Sequence, residues 1–285
     1  MEMNALEIRN LTKSFGSFKL DDIELILPSG CIMGLIGENG AGKSTTMKLI
    51  LGMLHRDAGT VRILGRDNSE DIRLIKEDVG VVMDEVGIPE CLNAKQVAGI
   101  MRRTFCRWSD KEYDRLIDKF EIPKGKPFKD YSRGMKMKLG IAVAMSHGSK
   151  LILLDEATSA LDPVARDEVV EMLIDFTRDE EHSVLISSHI VSDLEKLCDY
   201  VAFLHKGKLL LCEEKDALLS EYGIIRCNAG QLKELDPAAI LHKKESPYGA
   251  EAIVRRDRIP SGFQIGPVNI EELFVFMVKE SWEVK

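Results

Sequence analysis

The segment Gly37-Glu-Asn-Gly-Ala-Gly-Lys-Ser-Thr45 constrains the fold more than any other stretch of this chain. It fits G-x-x-x-x-G-K-[ST] through Gly37, Gly42, Lys43 and Ser44. An apolar run, Cys31 to Ile36, precedes it, and a helical pattern from about Lys43 to Met53 follows. Glycines let backbone N–H groups curl round phosphate oxygens without Cβ clashes, and a helix starting here adds about half a positive charge at its N-terminus. In that frame Lys43 reaches the β- and γ-phosphates and the Ser44 hydroxyl binds Mg2+. The candidate nucleotide-binding set is Gly37, Asn39, Gly40, Ala41, Gly42, Lys43, Ser44 and Thr45. A plain glycine-rich turn is the alternative. With glycine at about 7% of residues, a chance match in a chain this long is about one in a hundred.

Apolar runs alternate with amphipathic helical stretches over most of the chain, which predicts an α/β architecture. Val79 to Met83, Leu151 to Leu154 and Val184 to Ser187 are further buried-strand candidates. Asp162-Pro163 reads as an N-cap with proline at the first position of a helix to about Phe176, and a second helix is predicted from about Val191 to Cys198. In open α/β sheets ligands sit beyond the carboxyl ends of the strands. Gly37, Asp84, Asp155 with Glu156, and His189 each lie just past such an end, so their loops are expected at one edge of one sheet. Asp155 is a candidate Mg2+ ligand there, and Glu156 a candidate general base for a water attacking the γ-phosphate. His189 is a candidate partner of the γ-phosphate. The plainer alternatives are a helix-capping acid pair and a satisfied polar histidine.

The texture changes twice. Glu90 to His147 is helical in period, rich in Lys and Arg, and punctuated by Pro123, Gly125 and Pro127, which predicts an inserted helical subdomain. After about Asp216 come strand candidates Ile224–Cys227 and Ala252–Arg255, a turn at Ser246-Pro247-Tyr248-Gly249 and a closing helix over Ile270–Lys279. The expected division is a core of 1–89 and 148–215 with the helical subdomain at about 90–147, followed by a C-terminal accessory region, 216–285. At about 150 residues per domain, 285 residues fit two units. The net charge of −8 gives no global attraction for nucleic acid, and none is expected as a partner. Runs such as Leu273 to Val278 are far below the ~18–20 residues that cross a bilayer, and Met1 to Arg9 shows no signal-peptide pattern. Six scattered cysteines without a CxxC pair read as reduced thiols, so a cytoplasmic protein is expected.

Gly37 to Thr45, Leu151-Ile-Leu-Leu-Asp-Glu156, Ser159-Ala-Leu-Asp162 and Ser188-His189 together resemble an ABC-transporter ATPase subunit, over about residues 5–215. The resemblance implies a P-loop NTPase of α/β class, with a RecA-like mixed sheet core, the inserted helical subdomain and a small C-terminal α+β appendix. It implies ATP and Mg2+ as cofactors. Tyr131-Ser-Arg-Gly-Met135 stands where the family has its signature segment, usually Leu-Ser-Gly-Gly-Gln. Ser132 and Gly134 match; Arg133 and Met135 depart. In the family this segment completes the site of the opposite subunit, so two chains sandwich two ATP molecules and a second ATPase subunit is implied. By the same resemblance Phe15 stacks on adenine, where a core phenylalanine is the plainer reading.

Asp84 is the departure with mechanistic weight. The family usually places Gln there, in contact with Mg2+ and the attacking water. Aspartate is shorter and anionic: it can bind Mg2+ but cannot donate a hydrogen bond to water or phosphate. With no spanning segment predicted, the resemblance implies an integral membrane permease on a separate chain, with this subunit peripheral on the inner face of the membrane. Tyr131 to Met135, Asp84 and the short appendix are most similar to ABC-2-type exporters of bacitracin, peptides or other toxic compounds. An ATPase acting on DNA, the ribosome or a sensor complex is the alternative. Against it, only 112 positions separate Lys43 from Asp155, without coiled-coil heptads. The cluster Met101-Arg-Arg-Thr-Phe-Cys-Arg-Trp108 reads either as a solvated helix face with its aromatics in the core or as a docking surface.

Overall fold

Alternating apolar residues open the chain as an antiparallel pair. In the computed structural model, which describes residues 4–70, 72–159, 161–232, 234–246 and 249–283, β1 (Asn4–Phe15) pairs with β2 (Phe18–Pro28). Leu6, Ile8, Leu20, Ile23, Leu25 and Leu27 are buried between this sheet and the next layer. After β3 (Ile32–Gly37) and α1 (Lys43–Ile50), β4 (Ala58–Ile63) and β5 (Arg66–Asp67) extend the same sheet, in the order β2-β1-β4-β5. Helix α1 stops at Ile50, short of the expected Met53. Gly52 takes a left-handed φ of 64°, and the Met53 amide donates to the Lys48 carbonyl, a glycine-dependent helix stop.

Helix α2 (Ile72–Asp78) leads into β6 (Val79–Val82), and α3 (Ala94–Thr104), α4 (Asp110–Lys119) and α5 (Arg133–Met145) follow before β7 (Leu151–Asp155). Asn93, Ser109 and Ser132 each cap one of these helices by accepting a backbone N–H. Next come α6 (Pro163–Phe176), capped by Asp162, then β8 (Ser183–Ser188), α7 (Val191–Leu197), β9 (Tyr200–His205) and β10 (Lys208–Glu214). The central sheet has the order β10-β9-β3-β8-β7-β6; β10 is antiparallel to β9 and the remaining neighbours are parallel, so the sheet is mixed.

The central strands are apolar throughout because both faces are covered. Side-chain alternation sorts them between two layers. Ile32, Ile36, Ile152, Leu154, Val184, Ile186 and Phe203 face the helices, while Met33, Leu35, Leu151, Leu153, Leu185 and Leu204 face α1 and the N-terminal sheet. The aromatic residues of the 101–108 cluster turn inward. Phe105 stacks on His147 with ring centroids 4.1 Å apart, and Trp108 lies against Tyr113. Arg102 pairs with Asp110, and Arg107 with Asp78.

The rest of the chain forms α8 (Lys215–Glu221), β11 (Tyr222–Cys227), α9 (Ala229–Leu232), β12 (Ile240–Ser246), β13 (Gly249–Arg255), β14 (Ile265–Gly266) and α10 (Ile270–Glu283). Its antiparallel sheet runs β12-β13-β11-β14. Pro247 and Tyr248 of the expected turn, and Ala160 of the Ser159–Asp162 segment, lie outside the described residues. This region has a small core of its own around Ile225, Leu232 and Val254, yet Ile224, Ile253, Phe274 and Phe276 join the helical layer of the central sheet.

Candidate functional site

Strands β3, β6, β7 and β8 run parallel, so the loops that follow them emerge at one edge of the sheet. The loop after β3 wraps tightly. A Cβ on Gly37 would stand 2.5 Å from the Leu204 carbonyl oxygen, so only glycine fits where the loop leaves the sheet. Gly40 and Gly42 take φ values of 81° and 116°, and the Gly207 amide ties β9 to the loop by donating to the Ala41 carbonyl. Helix α1 starts at Lys43 with no side-chain cap, and its first turn carries no acidic residue. Its N-terminal amides therefore lack a side-chain acceptor and favour an anion.

Lys43 is 5% exposed and folds back over its own loop. Its ammonium donates to the Gly37 carbonyl at 2.7 Å and lies 3.2 Å from Glu156 Oε1. The second contact is ionic, since Glu156 Oε1 is buried without a hydrogen-bond partner. Glu156 follows β7 with a left-handed φ of 53°, unusual for a residue with a side chain. The other carboxylate oxygen, Oε2, is 2.7 Å from His189 Nδ1, beyond β8. Asp155 is 2% exposed and accepts a hydrogen bond from Ser187 Oγ at 2.6 Å. Ser187 also accepts from the Glu156 amide, so one hydroxyl on β8 braces both acids.

A cleft of about 390 Å³ opens over this group, lined by Asn39, Gly40, Gly42, Lys43, Ser44, Thr45, Asp84 and Glu156, with Glu38 and Phe18. That volume suits a small-molecule ligand. Phe18 lines it, whereas Phe15, its partner across the β1–β2 turn, is 40% exposed with Lys13 Nζ 5.4 Å from its ring centre. Ser132 and Gly134 lie at the start of α5, outside the lining of this cleft, and Ser132 accepts from the Met135 amide. Arg133, between them, donates to Asp84 Oδ1 at 2.6 Å. Asp162 caps α6, and the Ala165 amide holds its carboxyl below the usual carboxylate range.

Sequence patterns thus point to Lys43, Ser44, Asp84, Asp155, Glu156 and His189, and the fold brings their loops to one edge. Ser187, Phe18 and Arg133 are the additions. Ser187 was legible as a hydroxyl at the end of a buried strand; Arg133 reaches Asp84 across 49 positions, a contact no local pattern encodes. The residues fit a magnesium nucleotide. Ser44, Asp84 and Asp155 offer the oxygen donors that Mg2+ prefers, the glycines leave a cradle a Cβ would fill, and among the described residues Lys43 is held by its own loop and Glu156 alone.

Residues 20–159 match the family described as ABC transporter. The chain is 36% identical over 220 residues to the lantibiotic transport ATP-binding protein SrtF of Streptococcus pyogenes, covering 74% of this chain and 91% of that protein. It is 34% identical over 208 residues to the bacitracin transport ATP-binding protein BcrA of Enterococcus faecalis, covering 72% and 68% respectively. Over 97% of its length it is 28% identical to all of the ABC transporter ATP-binding protein YtrB of Bacillus subtilis. Among solved structures, an ATP-binding subunit of an ABC transporter superposes with a TM-score of 0.69 at 25% identity, over 75% of this chain and 91% of that one. With the phosphate loop, the acid pair and the histidine on one sheet edge, the chain belongs to the ABC transporter family, among its ATP-binding, ATP-hydrolysing proteins.

Proposed function

We propose that this chain powers a bacterial exporter of peptide, antimicrobial or other toxic compounds, by ATP-driven pairing with a second ATPase subunit beneath a separate membrane permease. The convergence of Lys43, Glu156 and His189 at the ends of β3, β7 and β8 carries the reading. The similarity to proteins named for bacitracin and lantibiotic transport supports the cargo class. Among the described residues no helix is long and apolar enough to cross a membrane, so the path through lipid is assigned to the permease. In this reading the subunit works at the inner membrane face, beneath that permease. The domain division follows the same reading, with a nucleotide core of 1–89 and 148–215, the helical part at about 90–147 for the permease, and 216–285 as an accessory region.

The site's residues then take these roles. Lys43 turns from Glu156 to the β- and γ-phosphates, which also frees the Glu156 carboxylate. The loop amides of residues 39–45 receive the phosphate oxygens, and an aromatic near the cleft, Phe15 or its neighbour Phe18, receives the adenine. Ser44, Asp155 and Asp84 would hold Mg2+, which offsets charge on the phosphate oxygens. Glu156 takes a proton from the attacking water as its oxygen bonds to the γ-phosphorus; the bridging P–O bond breaks and ADP leaves with the electron pair. His189 keeps Glu156 in place. Ser132 and Gly134 serve the second subunit's nucleotide.

The test is to purify the tagged chain from its native host in mild detergent. A polytopic membrane protein is expected to accompany it, and ATP hydrolysis should vanish in Glu156→Gln, with ATP-bound dimers on gel filtration. Recovery with ribosomes or DNA instead, or undiminished hydrolysis in the variant, refutes the reading.

A further inference from the structure

Two of the residues that depart from the family pattern touch each other. Asp84 stands where glutamine is usual, Arg133 stands where the signature segment has glycine, and their side chains pair at 2.6 Å. Arg133 is also the first residue of α5. Its cation therefore sits at the positive end of the helix dipole, where positive charge is unfavourable, and the first turn of α5 holds no acid to offset it. Asp84 provides that negative charge from the loop after β6. The same carboxylate lines the cleft with Ser44 and Glu156.

We propose that Arg133 is a positioning residue that competes with Mg2+ for the Asp84 carboxylate, so that loading the chain's own nucleotide site uncovers the anion-seeking start of α5. The inference rests on the magnesium-nucleotide reading above. A guanidinium on Asp84 Oδ1 raises the cost of bringing a dication to that carboxylate. Once Asp84 turns towards the metal, Arg133 at the start of α5 has lost its counter-anion, beside the Ser132 that caps that helix. Both are then open to a terminal phosphate held by a second copy of this chain. In the unloaded chain Asp84 is a stand-in for that phosphate. The side chains of Arg133 and Asp84 are 66% and 51% exposed, which makes the pair weak enough to open. Exposed pairs of this kind shift an equilibrium by about fivefold at most.

Equilibrium binding of a fluorescent ATP analogue to the full chain, titrated with Mg2+ and repeated in EDTA, tests this. Arg133→Gln is expected to lower the Mg2+ concentration at half-effect about two- to fivefold while leaving the affinity in EDTA unchanged. Arg133→Lys, which keeps the charge, should restore the original requirement. In an Asp84→Asn background Arg133→Gln should add nothing. An unchanged Mg2+ requirement in Arg133→Gln, the same shift in EDTA, or the same shift without Asp84 overturns the proposal. If Lys43→Ala leaves nucleotide affinity untouched, the reading of the site itself falls, and this inference with it.

Discussion

Single residues at this site are held by contacts that allow little substitution. Gly37 is the sharpest case, because a methyl there meets the Leu204 carbonyl oxygen at 2.5 Å and Ala41 Cβ at 3.1 Å. Gly37→Ala should push the phosphate loop off β9, cost about 1–3 kcal/mol of stability and weaken nucleotide binding at least about tenfold. Calorimetric titration and a thermal melt read both, with Gly125→Ala as control, since nothing lies within 4 Å of a Cβ at Gly125. Equal behaviour of the two variants would contradict the steric argument. The identities of Lys43, Asp155 and Glu156 were legible in the sequence because loop spacing and strand ends encode them. Their resting partners were not. The Lys43–Glu156 contact joins the start of α1 to the turn after β7, and Arg133–Asp84 joins the start of α5 to the loop after β6; both exist only after the sheet has brought distant segments together.

At the scale of elements, the junction of α5 with β6 turns on His147. Both of its ring nitrogens face carbonyl oxygens, of Val143 at 3.2 Å and Val79 at 3.3 Å, and these favour the protonated ring. Burial outweighs them and pushes the pKa below its ordinary 6.5. The unfolded chain therefore takes up a proton near pH 6.5 while the folded chain does not, and by linkage the stability is complete above that pH and is lost as pH falls through the window beneath it. The melting-temperature advantage of the wild type over His147→Gln should shrink as the pH falls below 6.5; parallel profiles would show that His147 does not titrate in this way. The buried parallel strands and the capped helix α6 could be read in advance from apolar runs and from Asp162-Pro163. The N-terminal antiparallel sheet could not be read as easily. Register shifts between Ile8 and Leu11 and between Leu11 and Lys13 break the alternation of β1, which hides its period.

The whole molecule is knitted more closely than a core with a loose appendix. Phe274 of α10 meets Phe203 of the central sheet edge-on at 5.3 Å, and Phe276 is 1% exposed in the same helical layer. Phe274→Ala should cost about 3 kcal/mol and lower the melting temperature of the nucleotide core itself, in one shared transition. Two separate transitions with an unmoved core would show instead that the C-terminal region folds apart. The helical insertion is tied in at both ends. It leaves from the end of β6 at Val82 and returns into the start of β7 at Leu151; the strands are parallel, with Val79 beside Leu151 and Val82 beside Leu154, so exit and return lie at opposite ends of one strand pair. The return is pinned by the Lys150 amide on the Asp78 carbonyl, just before β6, and by the Ser149 hydroxyl on the Ala144 carbonyl at the end of α5. A segment exchanged for the insertion would have to run the length of that strand pair and still set an arginine against Asp84, so the insertion and the cleft change together or not at all.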